Sequence, residues 1–171
     1  MTGPGGGLTL GVADLLRRPG QRRQESLDAV LEGLRVLGSE VPHGATVHLD
    51  LRLESVNQGV VVAGTTVAPW AGECRRCLRP VTATLTAPIL EVYEAEPKDG
   101  ETQPIRGTQI DVEPAAREAV LLELPLAPLC RDDCAGLCPT CGVDRNDVGC
   151  GCPSEPPDHR WAGLDGLRLE E

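Results

Sequence analysis

Six of the chain's eight cysteines lie within the 23 residues from Cys130 to Cys152, and this segment constrains the fold more than any other. Its aliphatic residues are few: Ala135, Leu137, Val143 and Val148. A segment this polar and glycine-rich cannot order itself by burial, because too little apolar surface offsets the entropy of fixing the chain. We therefore expect a crosslink, and cysteine side chains around a metal ion are the obvious means.

The spacing of the cysteines favours zinc as that crosslink. Cys138 and Cys141 stand two residues apart before a glycine, so the chain turns tightly enough for both sulfurs to reach one ion at about 2.3 Å. Cys150 and Cys152 follow, separated by one glycine whose backbone freedom lets neighbouring sulfurs point at one site. These four predict a closed tetrahedral zinc site. The cysteines left for a second zinc site are Cys74, Cys77, Cys130 and Cys134.

Three alternatives stay open at this point. One is a single metal site drawn from residues 130–141. Another is a set of disulfides, but these belong mostly to small secreted chains, and no charged segment followed by an apolar one opens this sequence. The third is a redox pair at Cys74 and Cys77, whose thiol pKa would fall beside Arg75 and Arg76. Threonine-alternating sequence typical of a strand follows that pair, whereas a redox motif precedes a helix.

Length and charge limit the possible functions. The chain has 171 residues, which suits one domain with a small module, and its net charge of −10 argues against general nucleic-acid binding. The halves differ: residues 1–80 carry nine Arg and eight acids, whereas residues 81–171 carry seven basic residues and 18 acids. Two arginine clusters in the first half are either solvated surface or phosphate-binding patches. They are Arg17, Arg18, Arg22 and Arg23, and then Arg75, Arg76 and Arg79.

No apolar run approaches the ~20 residues of a membrane span. With no secretory signal either, we expect a cytoplasmic protein without membrane contact.

Alternating polarity predicts an antiparallel sheet. A strand pattern covers 47–54, Asn57, Gln58 and Gly59 form a turn, and a second strand returns over 60–68. Alternation resumes over 81–93, so the Cys74–Cys77 motif lies at the tip between antiparallel strands. A further short strand is expected at 8–12.

Helical spacing predicts four helices of different length. We expect one turn over 15–18, an amphipathic helix over 26–37, and a helix over 111–124 that is apolar nearly all round and covers the sheet. A last short helix over 158–167 follows prolines and docks on its own domain or on a partner.

The predicted fold class is α+β, an antiparallel β-meander with a covering helix and a Cys-rich zinc-binding loop module. The expected division is a flexible leader (1–7), the sheet with its helices (8–129), the zinc module (130–152), and a Pro-rich spacer with a short helix (153–171).

Five motifs together resemble the YceD family over residues 8 to about 167. They are Leu15-Leu-Arg-Arg-Pro-Gly, Leu53-Glu-Ser-Val-Asn-Gln-Gly, Cys74-Arg-Arg-Cys-Leu-Arg-Pro, Arg117-Glu-Ala-Val-Leu-Leu-Glu-Leu-Pro and Cys134-Ala-Gly-Leu-Cys-Pro-Thr-Cys-Gly. The resemblance implies a bacterial or plastid ribosome-biogenesis factor that supports accumulation and processing of large-subunit (23S) ribosomal RNA. Its expected partners are a large-subunit RNA precursor or a large-subunit ribosomal protein.

The function expected from these observations is binding and not catalysis. Arg75, Arg76 and Arg79 would contact phosphate from a rigid tip. An RNA-processing hydrolase would need an acid–base pair or a metal with an open position, and a four-thiolate site is closed. The histidines His43 and His48 show no metal-ligand spacing with each other or with His159. A thiol redox protein is the third alternative.

Overall fold

The computed structural model of the chain describes residues 8–153 and Arg160. The strands are β1 (Thr9–Gly11), β2 (Arg22–Val30), β3 (Ser39–Glu40), β4 (Thr46–Val56), β5 (Gly59–Glu73), β6 (Pro80–Glu94), β7 (Gln103–Pro104) and β8 (Gln109–Asp111), and the helices are α1 (Ala13–Leu16) and α2 (Glu113–Glu123). Within the described residues, six strands form one sheet in the order β2-β4-β5-β6-β7, with β3 beside β5. All its pairs are antiparallel except β6 with β7. The structure is thus mostly antiparallel sheet with helices, in keeping with the predicted α+β class.

Strand β4 has the alternation that the sequence predicts. Over residues 47–54 its apolar residues are fully or almost fully buried, while the polar residues between them are more accessible to solvent. Those buried residues are Val47, Leu49, Leu51 and Leu53. A tight turn at Asn57 and Gln58 joins β4 to β5, whose Val60 and Val62 are buried beside them. One face of the sheet therefore lies on the core.

The longest pair of strands is β5 with β6, and it determines where the first two cysteines lie. Pairing runs without a break from Gly59 opposite Glu94 to Glu73 opposite Pro80. Fifteen residues in a strand span about 45 Å. The turn that holds Cys74 and Cys77 is therefore carried to one end of the sheet, as the alternation predicts.

The helix predicted over 26–37 is wrong, because strand β2 occupies its first part. Residues 22–30 pair with β4 over nine positions, from Arg22 opposite Glu54 to Val30 opposite Thr46. This pairing satisfies the backbone of β4 along its open edge, which a helix could not do. The helical spacing of the leucines has another cause: Leu31 and Leu34 are buried in the loop that follows β2, whereas Leu37 is exposed.

Helix α2 lies within the stretch 111–124 for which a helix is predicted, and it buries one side while Leu122 is 77% exposed. The Asp111 carboxylate accepts the backbone N–H of Glu113 at 3.0 Å, which satisfies one free donor at the helix start. Its buried residues join the core cluster that also contains β5 and β6 side chains. They are Ala115, Ala116, Ala119 and Val120. None of the helices that the structure describes is long and apolar enough to span a membrane.

Two predicted segments lie outside the described residues. These are the leader at 1–7 and most of the spacer and last helix at 153–171, of which Pro153 and Arg160 are described.

Replacing Gly64 by Ala tests the close approach of β4 and β5. A Cβ atom at this position would overlap the carbonyl oxygen of Asp50 in the neighbouring strand. We expect Gly64→Ala to lower the free energy of unfolding by about 1–3 kcal/mol, measured by chemical denaturation. Gly11→Ala is the control, because nothing lies within 4 Å of its added methyl group. Equal stability of the two variants would contradict the register.

Candidate metal centres

The first cysteine cluster joins the end of the β5–β6 hairpin to the loop after α2. It consists of Cys74, Cys77, Cys130 and Cys134, whose Sγ atoms all lie within 4.8 Å of one another. The Sγ atoms of Cys74 and Cys134 are 3.8 Å apart, and those of Cys77 and Cys130 are 3.6 Å apart. Three of the four side chains are buried, with Val81, Leu129 and Leu137 packed around them.

The second cluster lies wholly within the cysteine-rich segment and is more open to solvent. It consists of Cys138, Cys141, Cys150 and Cys152, again with all Sγ atoms within 4.8 Å of one another. Cys138 is buried, whereas Cys141 is exposed. All eight cysteines are free thiols, and Cys130 lies in a different cluster from Cys141, so the single site drawn from residues 130–141 does not form.

The two Cys-x-x-Cys turns have the same backbone hydrogen bonds. In the first turn the N–H of Cys74 donates to Arg79 and the N–H of Leu78 donates back to Cys74, both at 2.8 Å. The second turn repeats this pattern with Cys138, Val143 and Gly142, again at 2.8 Å. Such a turn points both sulfurs to the same side and leaves backbone N–H groups directed at them.

This turn requires a left-handed residue after its second cysteine. Gly142 fills that position with φ of 74°, which glycine adopts at little cost. Leu78 fills it in the first turn with φ of 61°, and it is the one non-glycine residue with positive φ in the described part of the chain.

The clusters fit a tetrahedral metal ion with four sulfur ligands. A metal–sulfur bond of about 2.3 Å places the sulfurs of a regular tetrahedron about 3.8 Å apart. The distances of 3.6 and 3.8 Å in the first cluster agree with that edge. Four sulfurs in a tetrahedron suit zinc or iron.

Each cluster contains thiols whose pKa is lowered beside thiols whose pKa is raised. Burial raises the pKa of Cys74, but the backbone N–H groups of Cys130, Cys77 and Arg76 outweigh it and bring that pKa to about 6. The N–H groups of Cys141 and Thr140 lower the pKa of Cys138 to about 6 in the same way.

The opposite shift affects Cys77 and Cys130 in the first cluster and Cys152 in the second. Burial, followed by the neighbouring thiols, raises the pKa of Cys130 to about 12. Hydrogen bonds with Cys141 and Cys138 raise the pKa of Cys152 to about 12. A bound dication would favour the thiolate form of all four sulfurs.

Asn146 links the loop between Cys141 and Cys150 to the first cluster, a role that the cysteine spacing did not indicate. Its side-chain N–H donates to the sulfur of Cys134 at 3.3 Å and to Asp144 at 2.6 Å. Its carbonyl oxygen accepts the N–H of Ala135 at 2.8 Å and a guanidinium N–H of Arg131 at 2.7 Å. The one sequence signal for this role is the run of Asp and Asn residues between Cys141 and Cys150.

The three tip arginines have different environments. Arg76 donates to the carbonyl oxygens of Cys134 and Asp132 at 2.9 and 3.1 Å. Arg79 pairs with Asp144 at 2.7 Å and with Asp147. Both thus hold the cysteine-rich segment against the hairpin.

Arg75 alone of the three is exposed with no side-chain partner among the described residues. The other predicted cluster also divides, since Arg22 pairs with Glu54 and Arg23 with Asp14, whereas Arg17 and Arg18 are exposed and have no side-chain partner within residues 8–153 or at Arg160. Contact of any of these arginines with RNA stays a prediction.

Comparison with known proteins gives the family. The model of the large ribosomal RNA subunit accumulation protein YceD matches residues 62–168, a span that contains all eight cysteines. The chain belongs to the YceD family. An uncharacterized protein of Mycobacterium tuberculosis (strain H37Rv) is 40% identical over 167 residues, which are 92% of this chain and 79% of that protein. An uncharacterized protein of Mycobacterium leprae is 39% identical over 91% of this chain and 75% of its own length.

A more distant relative carries the family name. It is the Arabidopsis thaliana protein called large ribosomal RNA subunit accumulation protein YCED homolog 1, chloroplastic, which is 33% identical over 60 residues. That stretch is 35% of this chain and 19% of the plant protein. No solved structure matches the chain.

Asn146→Ala tests the bridge between the two clusters of this YceD family member. Loss of the amide removes the donor to the Cys134 sulfur and the acceptor for two N–H groups. We expect the first cluster to bind metal about 10-fold to 100-fold more weakly, as outer ligand-orienting groups generally contribute that much. Competition with a colorimetric chelator measures it, and unchanged affinity of both clusters would show that Asn146 does not orient the ligand.

Arg79→Ala and Arg75→Ala form a matched pair at the tip. Arg79 is part of an exposed ion pair, so its loss should speed metal release about twofold to fivefold by loosening residues 144–147. Arg75→Ala should leave metal release and the melting temperature unchanged, because its exposed side chain makes no hydrogen bond or ion pair with a described residue. The same release rate in both variants would contradict the assignment.

Proposed function

We propose that this protein is a ribosome-biogenesis factor that supports synthesis, processing or stability of large-subunit (23S) ribosomal RNA, and that it acts by binding. The observation that carries the proposal is the family match over residues 62–168, since the family is described by large ribosomal RNA subunit accumulation. The name of the plant relative supports the same role. A cytoplasmic location follows from this role.

Each cysteine cluster, in this proposal, holds one zinc ion. The donor sets are Cys74, Cys77, Cys130 and Cys134, and Cys138, Cys141, Cys150 and Cys152. Four thiolates and no open position are typical of structural zinc, which contributes directly to folding. The ions would replace the missing apolar core of the cysteine-rich segment, since Ala135 and Val148 in it are exposed.

The same donor sets favour binding over hydrolysis. A closed four-thiolate centre leaves no coordination position for an attacking water, so its chemistry is to hold the fold. The described histidines lie elsewhere and pair with surface acids: His43 with Glu32 at 2.6 Å and His48 with Asp28 at 2.7 Å.

Contact with the RNA precursor is proposed at exposed cations that have no side-chain partner among the residues that the structure describes. Arg75 at the end of the hairpin meets this condition, and so do Arg17 and Arg18. These two lie near the other end of β5, because the N–H of Gly20 donates to Ser55 beside the start of that strand. One to three cations give a shallow salt dependence, with a log–log slope of about −1 to −3. Protein contacts must then supply the remaining affinity, with a large-subunit ribosomal protein as the candidate partner.

The zinc proposal predicts two zinc ions per chain and eight reduced cysteines. Cys138→Ser should lower the content from two ions to one, and the remaining ion should be released faster because Asn146 loses its support. Elemental analysis with thiol titration measures both. Thr140→Ala is the control, since Thr140 is an exposed residue of the same turn that is not a ligand. Less than one zinc per chain, iron in its place, or intact disulfides would contradict the proposal.

The functional proposal predicts that depletion of the protein in its own cells lowers 23S relative to small-subunit ribosomal RNA. Expression of the unaltered chain or of Thr140→Ala should restore the ratio, whereas Cys74→Ser should not, because it opens the first cluster. Quantitative RNA analysis during depletion measures the ratio.

Two results would count against this proposal. The first is an unchanged ratio in cells that have lost the protein. The second is cleavage of a precursor transcript by the purified zinc-loaded chain but not by its Cys74→Ser variant, which would favour the hydrolase alternative.

A further inference from the structure

A groove of about 650 Å³ opens beside the first Cys-x-x-Cys turn. Its walls come from three chain segments, within residues 35–40, 71–80 and 126–128. Three leucines line it with most of their surface open to solvent: Leu37 is 96% exposed, Leu126 67% and Leu78 60%. We call this feature the knuckle groove. Leucines clustered in the open are unusual on a monomer and typical of a docking surface.

Hydrogen bonds and close packing hold the walls of the knuckle groove together, so the leucines are exposed on an ordered surface. Ser39 donates its hydroxyl to the carbonyl of Pro125 at 2.9 Å, and the N–H of Arg75 donates to the carbonyl of Pro128 at 2.9 Å. Gly38 packs so closely on this segment that an added Cβ would overlap the carbonyl oxygen of Leu126. A preorganised groove loses little entropy when it binds.

Leu78 gives a second, independent reason. It occupies the left-handed position that Gly142 fills in the other turn, and this backbone conformation is sterically unfavourable for leucine. Its side chain is 60% exposed and so offsets little of that steric cost by burial within the chain. A contact outside the chain would use this side chain.

The charges around the groove decide between a protein segment and RNA. Arg75 has no side-chain partner among the described residues, whereas Glu40 on the same groove pairs with Arg35 at 3.1 Å, and Glu73 adds a further carboxylate. The two arginines and two glutamates of the groove give no excess of positive charge for a chain of phosphates, and no aromatic side chain among the described residues lines the groove to stack on a base. An acidic side chain next to apolar ones would pair with Arg75.

We propose that the knuckle groove binds a short amphipathic segment of a protein partner, which inserts leucine-sized side chains between Leu37, Leu78 and Leu126 and places a carboxylate on Arg75. This inference rests on the proposed function, since it names the kind of partner that a binding factor uses. A second copy of this chain fits less well, because a concave surface needs a convex one and the isologous contact would present the same groove.

Selection from a random 12-residue peptide library displayed on phage, against the full zinc-loaded chain, tests the proposal. We expect enriched peptides with at least two large aliphatic residues and an Asp or Glu. Leu126→Asp should weaken a synthetic enriched peptide about tenfold or more, since it removes one apolar wall. Arg75→Glu should also weaken it, and selection on that variant should enrich Lys or Arg in place of the acid.

Leu122→Asp is the matched control, because Leu122 is a 77% exposed leucine on α2 that does not line the groove. It should bind the peptide as the unaltered chain does. Zinc content and the melting temperature verify that all variants are folded. If Leu126→Asp fully restores 23S ribosomal RNA, the groove is not needed for the proposed function. The peptide measurements would then still decide whether the groove binds a protein segment.

Five outcomes would overturn the proposal. No peptide is enriched, or enriched peptides bind Leu126→Asp as well as they bind the unaltered chain. Alternatively, the chain forms a dimer that Leu126→Asp dissolves, which assigns the groove to a second copy. Alternatively, a synthetic peptide of residues 161–171 occupies the groove, which assigns it to this chain's own end. Finally, single-stranded RNA displaces the peptide and its binding depends on Leu126, which makes the groove an RNA surface.

Discussion

The architecture depends on one crosslink between distant parts of the chain. Cys74 and Cys134 are 60 residues apart in sequence, yet their sulfurs approach to 3.8 Å, and Cys77 meets Cys130 across 53 residues at 3.6 Å. The sheet brings Cys74 and Cys77 to the end of a long hairpin, and helix α2 with the loop that follows it brings Cys130 and Cys134 to the same place. A dication held by both pairs would fasten a module that has little apolar surface to the end of the sheet.

The second cluster is local, but it supports the first one. In the loop between Cys141 and Cys150, Asn146 donates to the Cys134 sulfur and Asp144 pairs with Arg79, which directly precedes β6. An ordered loop between Cys141 and Cys150 therefore favours the correct orientation of Cys134, a ligand of the first cluster. Arg79 and Arg76 thus pair within the chain, whereas Arg75 beside the knuckle groove has no side-chain partner in the part of the chain that the structure describes.

Much of this could be predicted from the sequence, where a local pattern is also the cause of the structure. Alternation gave β4 and β5, and the spacing of the cysteines gave the two sets of four that the structure brings together. The stretch 26–37 shows the limit: pairing of β2 with β4 prevailed over helical spacing, and edge pairing is not a local property. Asn146 and Leu78 depend on tertiary contacts and on backbone conformation, which composition does not reveal.

X-ray absorption at the zinc edge of the purified protein tests the central claim most directly, because it counts the ligands of the bound ions. Two centres built from all eight cysteines predict four sulfur neighbours for each zinc at about 2.3 Å and no nitrogen or oxygen in the first shell. A shell that mixes sulfur with nitrogen or oxygen would show that at least one cluster is incomplete or open, and would contradict an account in which both clusters are closed structural centres.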